Sequence, residues 1–275
     1  MSSSRQSWGE TPWSFFHFSN RKDFFSHAAS APDPHRQRPL PRHAVELSVQ
    51  PTSSPHTRND APPLIDTGIL RDTTLVERAS RFHPWDSMAP AALAGILRRG
   101  PFQRSAETGC GGSTIVLSHV SRNHVAFAIE GQNRTITALR QQSGLQTENV
   151  VFVQGETKDT LPGYRFEGQL DMVLLDGPHS YPLPQIEFAY LFPRIRQDGW
   201  LVIDDIQIPS VYELFRFLKR EDSVALEEIV VRTAYFRRVR VLESQPDGWT
   251  LQGMNRHAIL RYSWRDRLRR LLGRK

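Results

Sequence analysis

The sequence predicts an α/β fold built on a mainly parallel sheet, and three observations carry that reading. From about residue 64 onward, short apolar runs alternate with stretches of helical period, the pattern of strands joined by right-handed helical crossovers. The apolar runs are continuous rather than alternating, as strands covered on both faces require. A glycine-rich turn, Glu107-Thr108-Gly109-Cys110-Gly111-Gly112-Ser113-Thr114, stands between the first run and the helical stretch after it. Strand–turn–helix junctions of this kind bring backbone close to a ligand.

The elements follow in order. Residues 1–63 are rich in Ser, Pro, His and Arg without period, so they bury too little apolar area to offset their ordering entropy and read as a mostly disordered arm. Its aromatics, Trp8, Trp13, Phe15, Phe16, Phe18, Phe24 and Phe25, form an exception suited to docking. A folded domain is expected over 64–262. Ser87 is placed to cap a helix through Ala91, Leu93, Ile96 and Leu97 that Gly100-Pro101 stops. Residues 103–107 lead into the glycine turn, 115–120 read as helix, 125–130 as strand and 136–142 as helix. Strands are expected at 150–154, 172–176 and 200–204, and helices at 183–195 and 211–219. Runs at 225–235 and 249–254, separated by Pro246-Asp247-Gly248, suggest an antiparallel pair closing the sheet edge. Residues 263–275 form a basic amphipathic tail, with Trp264, Leu268, Leu271 and Leu272 among arginines.

The net charge is +6 and the pI about 9.8, a balance that by itself does not choose among nucleic acid, anionic membrane and acidic substrate. With one cysteine, Cys110, an internal disulfide framework is excluded. No stretch is apolar enough to span a bilayer, and a cytoplasmic location is the expectation. The tail suits docking on the body first and peripheral membrane contact second.

The glycine turn alone is equally a tight strand–helix junction without a ligand. Glu130, about 20 residues on, ends the next run where a carboxylate accepts hydrogen bonds from ribose hydroxyls; its alternative is a solvated strand end. Together they point to a cofactor bearing a nucleoside. A dinucleotide would want Gly or Ala where Thr114 stands, and Glu107 would repel a pyrophosphate but pair with an amino group.

These residues resemble the E-x-G-x-G-x-S-T first motif of class I S-adenosylmethionine-dependent methyltransferases. Residues 170–181, Leu-Asp-Met-Val-Leu-Leu-Asp176-Gly-Pro-His179-Ser-Tyr181, resemble the D-G-x-H-x-Y signature of methyltransferase family 24, a catechol O-methyltransferase-like group. Residues 197–205, ending in Asp204-Asp205, match its later segment, with Asp198 and Trp200 as variations. The resemblance covers roughly 84–238. It implies a Rossmann-like three-layer sandwich, a seven-stranded mainly parallel sheet with one antiparallel strand. It also implies S-adenosyl-L-methionine bound by Glu107, Gly109, Gly111, Ser113, Glu130, Glu156 and Asp176, with Glu156 meeting adenine or, alternatively, capping a helix.

Asp176, Asp204 and Asp205 stand at the ends of two strands expected to be neighbours. Three carboxylates in one volume call for a proton or a hard cation, and the group resembles the magnesium site of the catechol-type enzymes. The alternative has Asp204 capping a helix and Asp205 facing water. His179, three residues after Asp176, is the expected base at near-neutral pH, or else a structural hydrogen-bonding group. His179 and Asp176 are thus the catalytic candidates, and Mg2+ is the candidate ion. The acceptor expected is a hydroxyl of a small molecule or carbohydrate. No Asn-Pro-Pro-Tyr-type motif follows the fourth strand, which disfavours nucleic acid. Rival readings are a nucleic-acid methyltransferase and a non-catalytic binding scaffold; oligomeric state is open.

Overall fold

A computed structural model describes residues 67–82, 87–131, 134–142, 144–242 and 252–255, all of which belong to the unit spanning 59–275. The sheet has seven strands. They are β1 (Phe102–Thr108), β2 (Ser121–Ala128), β3 (Val150–Gln154), β4 (Leu170–Leu175), β5 (Ile195–Ile203), β6 (Val224–Val230) and β7 (Thr233–Arg238), in the spatial order β3-β2-β1-β4-β5-β7-β6. Pairings are parallel from β3 through β5, and only β7 runs against its neighbours. This is the seven-stranded arrangement with one antiparallel strand that the motifs implied.

The strands are apolar on successive residues because each face meets a different helical layer. In β4, Val173 and Leu175 join the core beneath α6 (Leu183–Leu191) and α7 (Pro209–Leu218). Met172 and Leu174 join the core beneath α1 (Thr73–Ser80), α2 (Pro90–Arg99) and α3 (Gly112–Val120). Both pairs are essentially excluded from solvent; at roughly 25 cal/mol per Å2 of apolar surface, such residues dominate the favourable free energy of folding. Two short helices, α4 (Thr135–Arg140) and α5 (Thr157–Thr160), follow β2 and β3.

Strand order reverses between β1 and β4, so the loops after these strands depart toward opposite faces and leave a crevice at their carboxyl ends. The loop after β1 is the glycine turn.

Several expected boundaries move. The helix expected from Ser87 starts at Pro90 with Ala89 as its cap residue and no side-chain cap; proline at the first helical position has the backbone angle already set. The helix expected to reach 195 ends at Leu191 in a single 3-10 turn at Phe192–Arg194, and β5 then begins at Ile195, earlier than expected. The antiparallel partners are not 225–235 and 249–254. The first run itself folds into the β6–β7 hairpin, turning at Val231 with φ 58°. Of the second run, 249–251 lie outside the described residues and 253–255 are helical. A helix absent from the sequence reading, α1, is capped by Asp72, whose carboxylate accepts from the backbone N–H of Thr74 and Leu75. The arm 1–63 and the tail 263–275 lie outside the described residues. Among the described residues, no helix is long and apolar enough to cross a membrane.

Candidate active site

Two adjoining cavities of about 330 and 340 Å3 open at the crevice and share Gly109, Cys110, Thr135 and Gly177. The first reaches Ser113, Asp176 and His179. The second is largely apolar and reaches Phe127, Ile129, Glu156 and Leu183.

The glycine turn is shaped by two requirements. Gly109 has φ 82°, and a Cβ there would lie 2.2 Å from the carbonyl oxygen of Asp176. Only glycine permits both that conformation and that approach. Gly111 is different: a Cβ on it would meet nothing within 4 Å. Its missing side chain leaves free volume in the first cavity, a cradle suited to a bound group.

Glu107 does not face this volume. It is fully buried, and its carboxylate accepts from Ser113 Oγ at 2.7 Å and from Thr114 Oγ1, and meets His124 Nε2 at 3.0 Å. His124 Nδ1 in turn lies 2.8 Å from Ser105 Oγ, which pairs with Ser121 Oγ. The expectation that Glu107 pairs with a ligand's amino group is corrected accordingly: the structure turns it inward, where it ties β1 to the start of α3. Ser113 contributes to the cavity wall while its hydroxyl is spent on Glu107.

Glu130 lies two residues beyond the end of β2. Its two oxygens accept from the backbone N–H of Ile136 (2.9 Å) and Thr137 (3.2 Å), so it holds the first turn of α4. The hydroxyl of Thr137, with those amides, keeps its carboxyl below the usual range. Glu130 lines neither cavity, although its neighbour Ile129 does, at 53% exposure. Glu156 is exposed on the rim of the apolar cavity and pairs with Lys158; its side chain makes no cap bond to α5.

The acid cluster differs from the expected set. Asp176, His179 and Asp205 each offer a ligand atom within 4.8 Å of the others. His179 Nε2 lies 3.4 Å from Asp205 Oδ2 and 3.9 Å from Asp176 Oδ1. That nitrogen is buried and finds no hydrogen-bond partner among the described residues. Asp204 is not in this group. It is 2% exposed and accepts from the hydroxyl of Thr233. Burial raises its pKa, the Thr233 hydroxyl opposes the shift, and the adjoining Asp205 adds to it. Its side chain is turned toward Thr233 at the start of β7, and Asp205, the next residue, takes a positive φ of 55° that sends the chain away.

Two contributors escaped the sequence reading. Arg232, in the β6–β7 turn, places Nε 2.6 Å from Asp205 Oδ1 and donates from Nη2 to the carbonyl of Ser87 on the cavity wall. Glu187, on α6, is buried beneath the cleft and accepts from the hydroxyls of Thr108 (2.8 Å) and Thr157 (2.7 Å).

Residues 106–206, from β1 through the acid pair, match a family model described as a methyltransferase domain, that of family 24. Over those residues the chain is similar to that methyltransferase domain. A mycinamicin III 3''-O-methyltransferase from Micromonospora griseorubida is 32% identical over 97 residues, which are 34% of this chain and 37% of that protein. The chain thus spans little more than a third of that relative's length. Solved structures similar to the methyltransferase domain include the O-methyltransferase TomG of Streptomyces achromogenes in complex with SAM. It has 17% identity and TM-score 0.49, covering 61% of this chain and 90% of that one. An O-methyltransferase of Bacillus cereus in complex with SAH has 14% identity and TM-score 0.48, covering 63% and 91%.

Proposed function

We propose that this protein transfers a methyl group from S-adenosyl-L-methionine to a hydroxyl oxygen of a small molecule or sugar. The observation that carries the reading is the placement of His179 beside two carboxylates on the same cavity that the open side of Gly111 faces. The relative's O-methylation supports an oxygen acceptor.

The two cavities divide the cofactor between them. The apolar one, with Ile129 exposed in it and Glu156 on its rim, suits adenine. The first, with Gly109 and Gly111, suits the methionine end, and Glu130 acts on the site by holding the first turn of α4. The sulfonium methyl is already activated, so the chain's own residues have three tasks: alignment, exclusion of water and removal of the acceptor proton. His179 is the base. Asp205, 3.4 Å from its Nε2, stabilises the imidazolium that forms, and Arg232 neutralises the excess charge on that carboxylate. Asp176 lines the methionine-side cavity and presents its carboxylate toward the same nitrogen.

A divalent cation also fits here, and the His179 nitrogen, which faces two carboxylates without a hydrogen bond among the described residues, favours it. Asp176, His179 and Asp205 would hold the ion, in place of the all-carboxylate set with Asp204. When bound it would supply Lewis acidity toward the acceptor hydroxyl, and His179 would then serve as ligand instead of base.

Calorimetry with S-adenosylhomocysteine, followed by methyl transfer to a panel of hydroxylated acceptors, tests the reading. His179→Ala should keep cofactor affinity and lose transfer by about 10²–10⁴-fold, the usual worth of a general base. Loss of activity on chelation, with restoration by added Mg2+, would select the metal form; indifference to chelator would select the metal-free form. Absence of any heat with the cofactor product would overturn the proposal.

A further inference from the structure

Beneath the cleft, Glu187 touches three of the segments around the apolar cavity, those after β1, β3 and β4. Its Oε2 accepts from Thr108 Oγ1 at the end of β1, one residue before Gly109. Its Oε1 accepts from Thr157 Oγ1 at the start of α5, one residue after Glu156. Gly177, in the loop after β4, is pressed so closely on the carboxylate that a Cβ there would lie 2.5 Å from Oε1. The backbone N–H of Asp176 is shared between the carbonyl oxygen of Thr108 at 3.2 Å and Thr108 Oγ1 at 3.3 Å. Gly109, Thr157 and Gly177 all line the same 340 Å3 cavity. One side chain on α6, 1% exposed, thus fixes the spacing of three segments that come from different parts of the chain.

This is an expensive way to build a core. A carboxyl group this deeply buried loses solvation that its two neutral hydroxyl donors, Thr108 and Thr157, only partly return. Packing α6 against the sheet does not require it, since an aliphatic residue of that size would fill the space. What an aliphatic residue would not do is hold Thr108, Thr157 and Gly177 at fixed separations.

We propose that Glu187 is a positioning residue for the adenosyl half of the cofactor: by binding Thr108 and Thr157 and seating Gly177, it sets the width of the apolar cavity before the ligand arrives. The inference rests on the functional reading above. It does not involve contact between Glu187 and the ligand, because the three loops lie between them.

Glu187→Leu and Glu187→Gln test it, with two readouts on the full chain. Glutamine keeps a carbonyl for one threonine and an N–H for the other, so Glu187→Gln should bind S-adenosylhomocysteine within about threefold of the unaltered chain. Glu187→Leu should keep its melting temperature or raise it, yet bind about tenfold or more weakly, and without ligand its Asp176 amide should exchange hydrogen faster. A residue that only supported the fold would move stability and affinity down together. Should Glu187→Leu fail to fold, Thr157→Val removes one of the two contacts at less risk and should weaken binding about threefold or more. Unchanged affinity and unchanged Asp176 exchange in the folded variants would overturn the proposal. If instead the unaltered chain bound no cofactor product, the functional reading would fall, and the cofactor role of Glu187 with it; the exchange measurement would still report whether it holds the loops.

Discussion

The crevice depends on residues whose value lies in what they leave empty or what they hold apart. Gly111 is the clearest case. Its backbone is extended, and an added methyl would collide with nothing in the protein. Gly111→Ala should therefore melt with the parent, within about 0.5 kcal/mol as for a substitution away from packed features, while binding S-adenosylhomocysteine about tenfold more weakly. Equal affinity would mean that the space beside Gly111 is not the ligand's. Glu187 makes a second prediction, about pH. Burial raises its carboxyl from 4.5 to about 7, against the two threonine hydroxyls. A group that holds its proton more tightly folded than unfolded stabilises the fold at low pH, and that stability is lost as pH rises from about 4.5 through 7. The total change is about 3 kcal/mol. Glu187→Gln should abolish this dependence, so the variant should gain on the parent in denaturant melts between pH 5 and 8. An unchanged difference across that range would contradict the assignment.

At the scale of elements, the glycine turn is braced from behind. The carbonyl of Ala79, at the end of α1, sits where a Cβ of Gly112 would come within 2.4 Å, so α1 and α3 meet backbone to backbone. Gly112→Ala should cost about 1–3 kcal/mol through overpacking and also weaken cofactor binding, since the helix start must shift. Asp72→Ala removes the cap of the same α1 and should cost about 1 kcal/mol in thermal or denaturant unfolding, with a smaller effect on affinity. The parallel strands were legible because continuous apolar runs of that length have few other uses. Asp72 and the spacing of Leu75, Val76 and Ala79 were equally present in the sequence as signals for α1. The β6–β7 turn was not legible: Val230-Val231-Arg232 contains no Gly, Pro or Asn, and a β-branched residue takes the positive φ. Without that turn, Arg232 has no visible route to the acid cluster. Glu107 and Asp204 misled for a related reason. Sequence places a carboxylate at a strand end, but which way it points depends on partners such as His124 and Thr233, far away in the chain.

For the molecule as a whole, the strand order sets the crevice between β1 and β4, and the last hairpin returns Arg232 to close one side of it. This guanidinium spans Asp205 and the Ser87 carbonyl. Arg232→Ala should lower transfer more than cofactor affinity, because it leaves Asp205 without its countercharge but leaves the glycine turn intact. Equal losses in the two measurements would place its role in the fold and not in the acceptor site.

Cys110 touches both cavities, yet burial, with Glu107 and Glu130 nearby, pushes its thiol up to about 12. Thiolate, and not thiol, attacks an alkylating reagent, so the folded protein should stay silent toward iodoacetamide at neutral pH. With no second sulfhydryl in the chain to confuse the signal, the pace of alkylation becomes a clock for opening of the crevice, and a tenant in it should slow the hands.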